Sequence, residues 1–254
     1  MSSEPTPTPN RDVLAGGFHT TRWTQVIEAG KRSDAGLGAL RDLCAAYYTP
    51  VIAFLCRQGN DADAARELGH QFFTRMLAGD AIGGADRAQG RFRSYLLGAV
   101  KHFVGHLRES EQRQRRGGGV RPLSIDEASP DSPALQVAAD EHLSPDAAFD
   151  RQWAVTVLSR AMEALQSECA AQGKADLLEQ LRPWLVGESV HGDQVQEAES
   201  LGLSTGAMKV TVHRMRQRFR RLVRAEIAST LNDEAMVAEE MEALLMALGG
   251  YQMP

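Results

Sequence analysis

Ser204-Thr205-Gly206-Ala207-Met208-Lys209-Val210-Thr211-Val212-His213-Arg214-Met215-Arg216-Gln217-Arg218-Phe219-Arg220-Arg221 decides how this chain reads, because an apolar stripe and a cationic stripe run side by side in it. Met208, Val212, Met215, Phe219 and Leu222 recur at i, i+4, i+7, i+11 and i+14, which predicts one buried side of an α-helix. Lys209, His213, Arg216 and Arg220 form the neighbouring stripe. Arg214, Arg218, Arg221 and Arg224 add charge around it, and no carboxylate follows until Glu226. Upstream, Val195, Ala198 and Leu201 give a shorter helical pattern ended by Gly202, where glycine supplies the left-handed backbone that closes a helix. Ser204 is placed to cap the next helix. Helix, tight glycine-containing turn and cationic second helix make a helix-turn-helix, with the second helix sized for a DNA major groove. A basic amphipathic helix alone also suits a membrane surface or an acidic partner. The Gly-Leu-Ser turn and the helix before it favour DNA, since a surface-lying helix needs neither.

The remaining composition bounds the class. At 254 residues, 43% apolar and 24% charged, the chain has the content of a globular protein with one or two cores. Its net charge of −5 excludes a globally basic nucleic-acid coat, so any DNA contact comes from local patches. Cys44, Cys56 and Cys169 are odd in number, widely spaced and without a C-x-x-C pair, which points to reduced thiols in a cytoplasmic protein. Met1 to Asn10 has no basic-then-apolar run and reads as a disordered leader, and no window approaches the roughly 20 apolar residues of a membrane span.

Strand alternation and hairpin turns are almost absent, so the expected fold class is all-α. Helices are predicted from Thr20 or Thr21 through Ile27, from Gly36 to about Gln58 with a bend at Pro50, from Asp61 to Leu77, and from Arg91 to about Arg115. The glycine-rich stretch Gly79 to Gly90 reads as a loop. Residues 117–143 are rich in Pro, Ser, Asp and Ala and read as an acidic linker. Order resumes at Ser144-Pro145-Asp146, a helix start carrying cap, first-turn proline and dipole-matched acid. A further helix from Leu177 to Val186 is expected to be interrupted by Pro183, and Asn232 to Leu248 reads as a separate acidic amphipathic appendage. Paired acids such as Glu239-Glu240 read as a solvated face.

In order and spacing, these stretches resemble bacterial sigma factors of the sigma-70 superfamily, in the extracytoplasmic-function (ECF) subfamily. The residues that carry the likeness are Phe18-His19-Thr20-Thr21-Arg22-Trp23, Asp61 to Phe73, Gly90 to Phe103, the basic-glycine run Arg113 to Gly119, Leu123 to Asp126, and Leu201 to Phe219. Together they span Phe18 to about Thr230. The resemblance implies two small helical domains joined by a flexible linker: a leader over 1–17, sigma domain two over 18–116, the linker over 117–143, the helix-turn-helix sigma domain four over 144–230, and a C-terminal extension over 231–254. It implies a protein without catalysis or cofactor that binds core RNA polymerase, through the clamp helices of β′ and the flap of β, and directs initiation at promoter DNA. A −35 element would meet Ser204, Thr205, Lys209, His213, Arg214, Arg216 and Arg220. A −10 element would meet Arg91, Arg93, Tyr95, Lys101, His102 and Arg108, cationic and aromatic groups of the kind that hold single strands. Core polymerase would meet Asp63, Glu67, Leu68, Gln71, Phe72 and Phe73. Here the chain departs from the family's acidic-acidic-Leu-x-Gln-acidic-Phe-Phe pattern: Arg66, His70 and Gln71 replace two carboxylates and a glutamine. An anti-sigma factor is a further partner the family admits, and a membrane is not.

Other chemistry is thinly supported. His102 and His106 lie one helical turn apart, as two metal ligands would, but no third ligand is evident nearby. No nucleophile elbow, phosphate loop or dinucleotide fingerprint occurs. Two other classes remain open: a helix-turn-helix regulator acting without polymerase core, and a helical protein–protein adaptor.

Overall fold

The structure, a computed structural model, describes residues 34–78, 91–116, 143–186, 198, 202–231 and 233–249. The expected leader, the helix opening at Thr20 or Thr21, the Gly79 to Gly90 loop, all of the linker but Leu143, and the short helix before Gly202 apart from Ala198 lie outside the described residues. Seven α-helices carry the described chain: α1 Asp34–Arg57, α2 Ala62–Ala78, α3 Phe92–Arg116, α4 Pro145–Ala171, α5 Ala175–Val186, α6 Thr205–Ala228 and α7 Val237–Gly249, with a single 3-10 turn at Glu234–Met236 ahead of α7. Among the described residues there is no strand, only an isolated antiparallel bridge between Arg91 and Leu231. The fold is all-α.

Local chemistry sets the helix starts. Asp61 accepts from the Ala64 amide at 2.8 Å ahead of α2. Ser144 accepts from the Ala147 amide ahead of α4, with Pro145 in the first turn, where its missing N–H leaves no bond unmade. Both internal prolines are accommodated: α1 runs through Pro50 and α5 through Pro183, so the interruption expected in α5 does not occur. Pro183 is exposed, between the buried Leu181 and Trp184.

Two apolar cores result, and two helices belong to both. The first gathers Leu43, Tyr47 and Phe54 of α1, Phe72 and Met76 of α2, and Phe92 and Leu96 of α3. It also takes Phe149, Trp153 and Val157 from the first half of α4, and Val223 and Ile227 from the end of α6. The second joins Leu165 and Cys169 at the end of α4 to Leu178, Leu181 and Trp184 of α5, Ala198, and Met208 and Met215 at the start of α6. Phe219 and Leu222 pack against both. At about 1.5 Å per residue, the 27 residues of α4 reach about 40 Å, long enough to cross from one core to the other. Arg160 of α4 and Glu226 of α6 clasp the two crossing helices at 3.1 Å, and Arg57 Nε donates to the Leu143 carbonyl at 2.9 Å, holding the entry to α4 against the end of α1.

The C-terminal extension is not a separate appendage. Val237 and Leu244 are buried in the first core, with Met236, Met241 and Leu248 packed at its edge. The stretch Leu37–Arg57 meets the length and composition of a membrane-crossing helix, which the sequence reading did not anticipate; 67% of that window is buried inside the bundle. The three cysteines are free, Cys44 and Cys169 buried and Cys56 half-buried. Burial pushes the Cys44 thiol up to about 12.

If α7 is part of the first core, Leu244→Ala removes a side chain that is 3% exposed and lowers the melting transition of the whole helical signal by the equivalent of about 2–5 kcal/mol. An unchanged thermal transition in circular dichroism would make α7 an independent appendage.

Candidate nucleic-acid interface

The turn ahead of α6 has the backbone that its sequence asks for. Gly202 sits at φ +63°, a left-handed conformation that side-chain-bearing residues rarely adopt. The Leu203 amide donates to the Ala198 carbonyl at 2.9 Å, and Ser204 accepts from the Ala207 amide at 3.2 Å. From that cap, Met208 and Met215 go inward, while Lys209, His213, Arg214 and Arg220 stay exposed. Ser204 is exposed and Thr205 half-buried.

Arg216 is exposed as well, and it also ties two elements together. Its guanidinium donates to the Trp184 carbonyl from Nε at 2.9 Å and from Nη2 as well, stitching α6 to the end of α5. Arg218 forms a two-pronged pair with Glu168 of α4, Nε to Oε2 at 2.6 Å and Nη2 to Oε1. That hydrogen bonding holds the Glu168 carboxyl below its ordinary range. Arg218 also lines a cleft of about 500 Å³ between α4, α5 and α6, where Arg214 and Arg221 add charge above Met215.

The residues expected to meet a −10 element divide into two groups. Lys101, His102 and Arg108 lie on the exposed side of α3. Lys101 Nζ reaches Asp146 at 2.5 Å, the His102 and His106 rings approach at 3.1 Å between their Nε2 atoms, and Arg108 donates to Gln58 at 2.7 Å. Tyr95 is buried among the core aromatics, its ring 6.2 Å from Phe92, so it offers no stacking face to a base. Arg91 and Arg93, at the start of α3, point into the molecule.

Backbone pairing explains where those two arginines go. The Phe92 amide donates to the Thr230 carbonyl at 3.2 Å, and Arg91 bridges Leu231, so the start of α3 is fastened to the turn between α6 and α7. Arg93 then grips Glu240 with two bonds, Nε to Oε2 at 3.1 Å and Nη2 to Oε1 at 3.0 Å. Its third nitrogen donates to Asp150 at 2.5 Å, and its Cζ lies 4.5 Å from the centre of the Trp153 ring. Burial works against the Arg93 charge, but Glu240 and Asp150 outweigh it and hold the guanidinium above its ordinary pKa. Arg91 donates to Glu240 at 3.0 Å and pairs also with Glu239, whose carboxyl that hydrogen bond lowers. The Glu240 side chain is 1% exposed and Glu239 66%. Glu240 is therefore not the solvated acid that its run of charges implied; it occupies the turn between Val237 and Leu244, on the buried stripe itself.

On α2, Asp63, Glu67 and Gln71 are exposed and Leu68 half-buried. Asp63 pairs with Arg66, and Gln71 donates to Glu67 at 2.9 Å. Phe72 and Phe73, both expected to meet core polymerase, are buried, with ring centres 5.1 Å apart. The polar face thus holds the partner-facing candidates, and the phenylalanines hold the helix down. Among the described residues, no group of three or more His, Cys, Asp or Glu side chains gathers as metal ligands would. No family model, curated protein or solved structure matches the chain.

The different occupations of two cations on α6 separate by mutation. Arg216→Ala forfeits the bonds to the Trp184 carbonyl and lowers stability by about 1.5 kcal/mol in thermal unfolding. Lys209→Ala, exposed, stays within about 0.5 kcal/mol of the parent. Equal effects would contradict the structural role of Arg216.

Proposed function

We propose that this chain is a sigma factor of the extracytoplasmic-function type, which binds core RNA polymerase in the cytoplasm and directs initiation at promoters through a −35 and a −10 contact. One observation carries the reading: the left-handed Gly202 turn, the Ser204 cap and a helix that buries Met208 and Met215 while leaving Lys209, His213, Arg214 and Arg220 exposed. A recognition helix needs that division, because its apolar side must anchor it while its outer side meets phosphates and base edges. The ordered likeness of the sequence to the family from Phe18 to about Thr230 supports it. The exposed Asp63, Glu67 and Gln71 on α2 offer a polar face for polymerase, and Lys101, His102 and Arg108 on α3 a basic face for a single strand. In this proposal domain two centres on α1 to α3 and domain four on α5 and α6, with residues 117–143 joining them.

Mixing the chain with purified polymerase core tests the proposal. A sigma factor forms a one-to-one complex and starts transcripts at defined positions. Binding to duplex DNA without core would mark a conventional helix-turn-helix regulator, and neither activity an adaptor; both contradict the proposal. Glu67→Lys is expected to weaken the core complex in a pull-down at unchanged melting temperature, since Glu67 is exposed. Lys209→Ala with Arg214→Ala is expected to weaken promoter binding and to lower its salt slope by about one per lost phosphate contact.

A further inference from the structure

Arg91 and Arg93 make the deepest cationic site among the residues expected to hold a nucleic-acid strand, and the chain fills it with its own carboxylates. Two guanidiniums converge there on one acidic group, backed by the Trp153 ring. That is the donor array that receives a phosphodiester: planar forks presenting parallel N–H groups. The fit of the carboxylates is incomplete. Arg91 Nε is buried and finds no acceptor among the described residues, although Glu239 and Glu240 both stand against the same guanidinium. A phosphodiester sets its two charged oxygens on a tetrahedral centre, out of the single plane of a carboxylate, and can turn one toward a donor that the carboxylates leave unserved.

The acidic helix is also joined in a way that lets it part from the site. α7 has 13 residues and enters through one 3-10 turn at Glu234–Met236. It contributes only Val237, Glu240 and Leu244 as fully buried side chains, while Leu245 and Met246 are 62% and 79% exposed on its far side. Glu239, at the rim, is mostly in water.

We propose that α7 is a built-in competitor for nucleic acid: Glu239 and Glu240 occupy the Arg91–Arg93 site where the backbone phosphates of a single DNA strand bind. This rests on the promoter-directed function proposed above and adds to it a regulatory step, since the strand must displace the helix before it is held. The two arginines are never left without a counter-charge, because the incoming phosphates replace the departing carboxylates. Apparent affinity is then reduced by the fraction of molecules whose site is open, and weakening the carboxylates restores it.

The full-length chain, titrated against a fluorescein-labelled single-stranded oligonucleotide of mixed sequence and followed by anisotropy, tests this. Glu239→Gln together with Glu240→Gln is expected to tighten binding by about tenfold. Because that pair includes a buried side chain, Glu239→Gln alone serves as the variant that keeps the core intact, with an expected gain of about two- to threefold. Glu242→Gln removes an exposed acid of the same helix that is not paired with either arginine, and is expected to change nothing. Unchanged affinity in folded Glu239→Gln, or an equal gain in Glu242→Gln, overturns the proposal, the second result reducing it to net charge. The parent reading fails separately. If polymerase core with this chain initiates transcription but the glutamine variants bind no tighter, only the competitor role is lost. If they bind tighter and no initiation occurs with core, the arginine site stands and the sigma-factor function does not.

Discussion

A carboxylate that is 1% exposed, held by two arginines, is the interaction on which the arrangement of the helices depends. A charge taken out of water costs several kcal/mol unless it is paired and hydrogen-bonded, and removing one partner of such a set costs about 3–5 kcal/mol. Glu240 therefore commits α7 to the start of α3, and Arg93 commits the start of α3 to Asp150 and Trp153 on α4. The backbone bridge between Arg91 and Leu231 brings these groups within reach. Three segments distant in sequence are fixed by one cluster of charge at the edge of an apolar core. Such a cluster specifies where helices meet more than it stabilises them, since apolar side chains of the same volume would pack there without desolvating ions.

Around this junction, the cations of the chain fall into those used internally and those left at the surface. Arg91, Arg93, Arg160, Arg216 and Arg218 each hold another element. Lys209, His213, Arg214, Arg220, Arg221 and Arg224 on α6 remain exposed, as do Lys101, His102 and Arg108 on α3, and Arg216 is exposed while holding α5. The basic surface available to DNA is thus narrower than the sequence count. Specificity in the proposed function would rest on few groups, which suits a helix that reads a groove through three or four side chains.

The sequence disclosed helices well where one core dictated their period. The Met208, Val212, Met215 stripe, the Ser144-Pro145 start and the Gly202-Leu203-Ser204 turn were legible because each is local chemistry acting within a turn or two. What was not legible was which element a residue meets across space. Tyr95 was expected to meet a −10 element and is buried, because its side of α3 also carries Phe92 and Leu96. Arg216 shares a stripe with Lys209 and His213, yet it donates to the Trp184 carbonyl at the end of α5. Glu240 had a signal that was passed over: Val237, Glu240, Met241 and Leu244 follow i, i+3, i+4 and i+7, so the acid lies on the apolar face. A carboxylate at such a position requires a cation opposite, and the arginines at the start of α3 lie far away in sequence. Likewise, α4 shows a continuous apolar period without any mark of where one core ends and the next begins.

Hydrogen exchange of the α7 amides, Val237 to Gly249, in the chain alone and with saturating single-stranded DNA, tests the central claim most directly. Free chain should protect these amides through the burial of Val237, Glu240 and Leu244, and the bound strand should speed their exchange as it takes Arg91 and Arg93. Protection that stays the same or deepens on binding would mean that the acidic helix is a permanent part of the fold and that nucleic acid does not compete for its site.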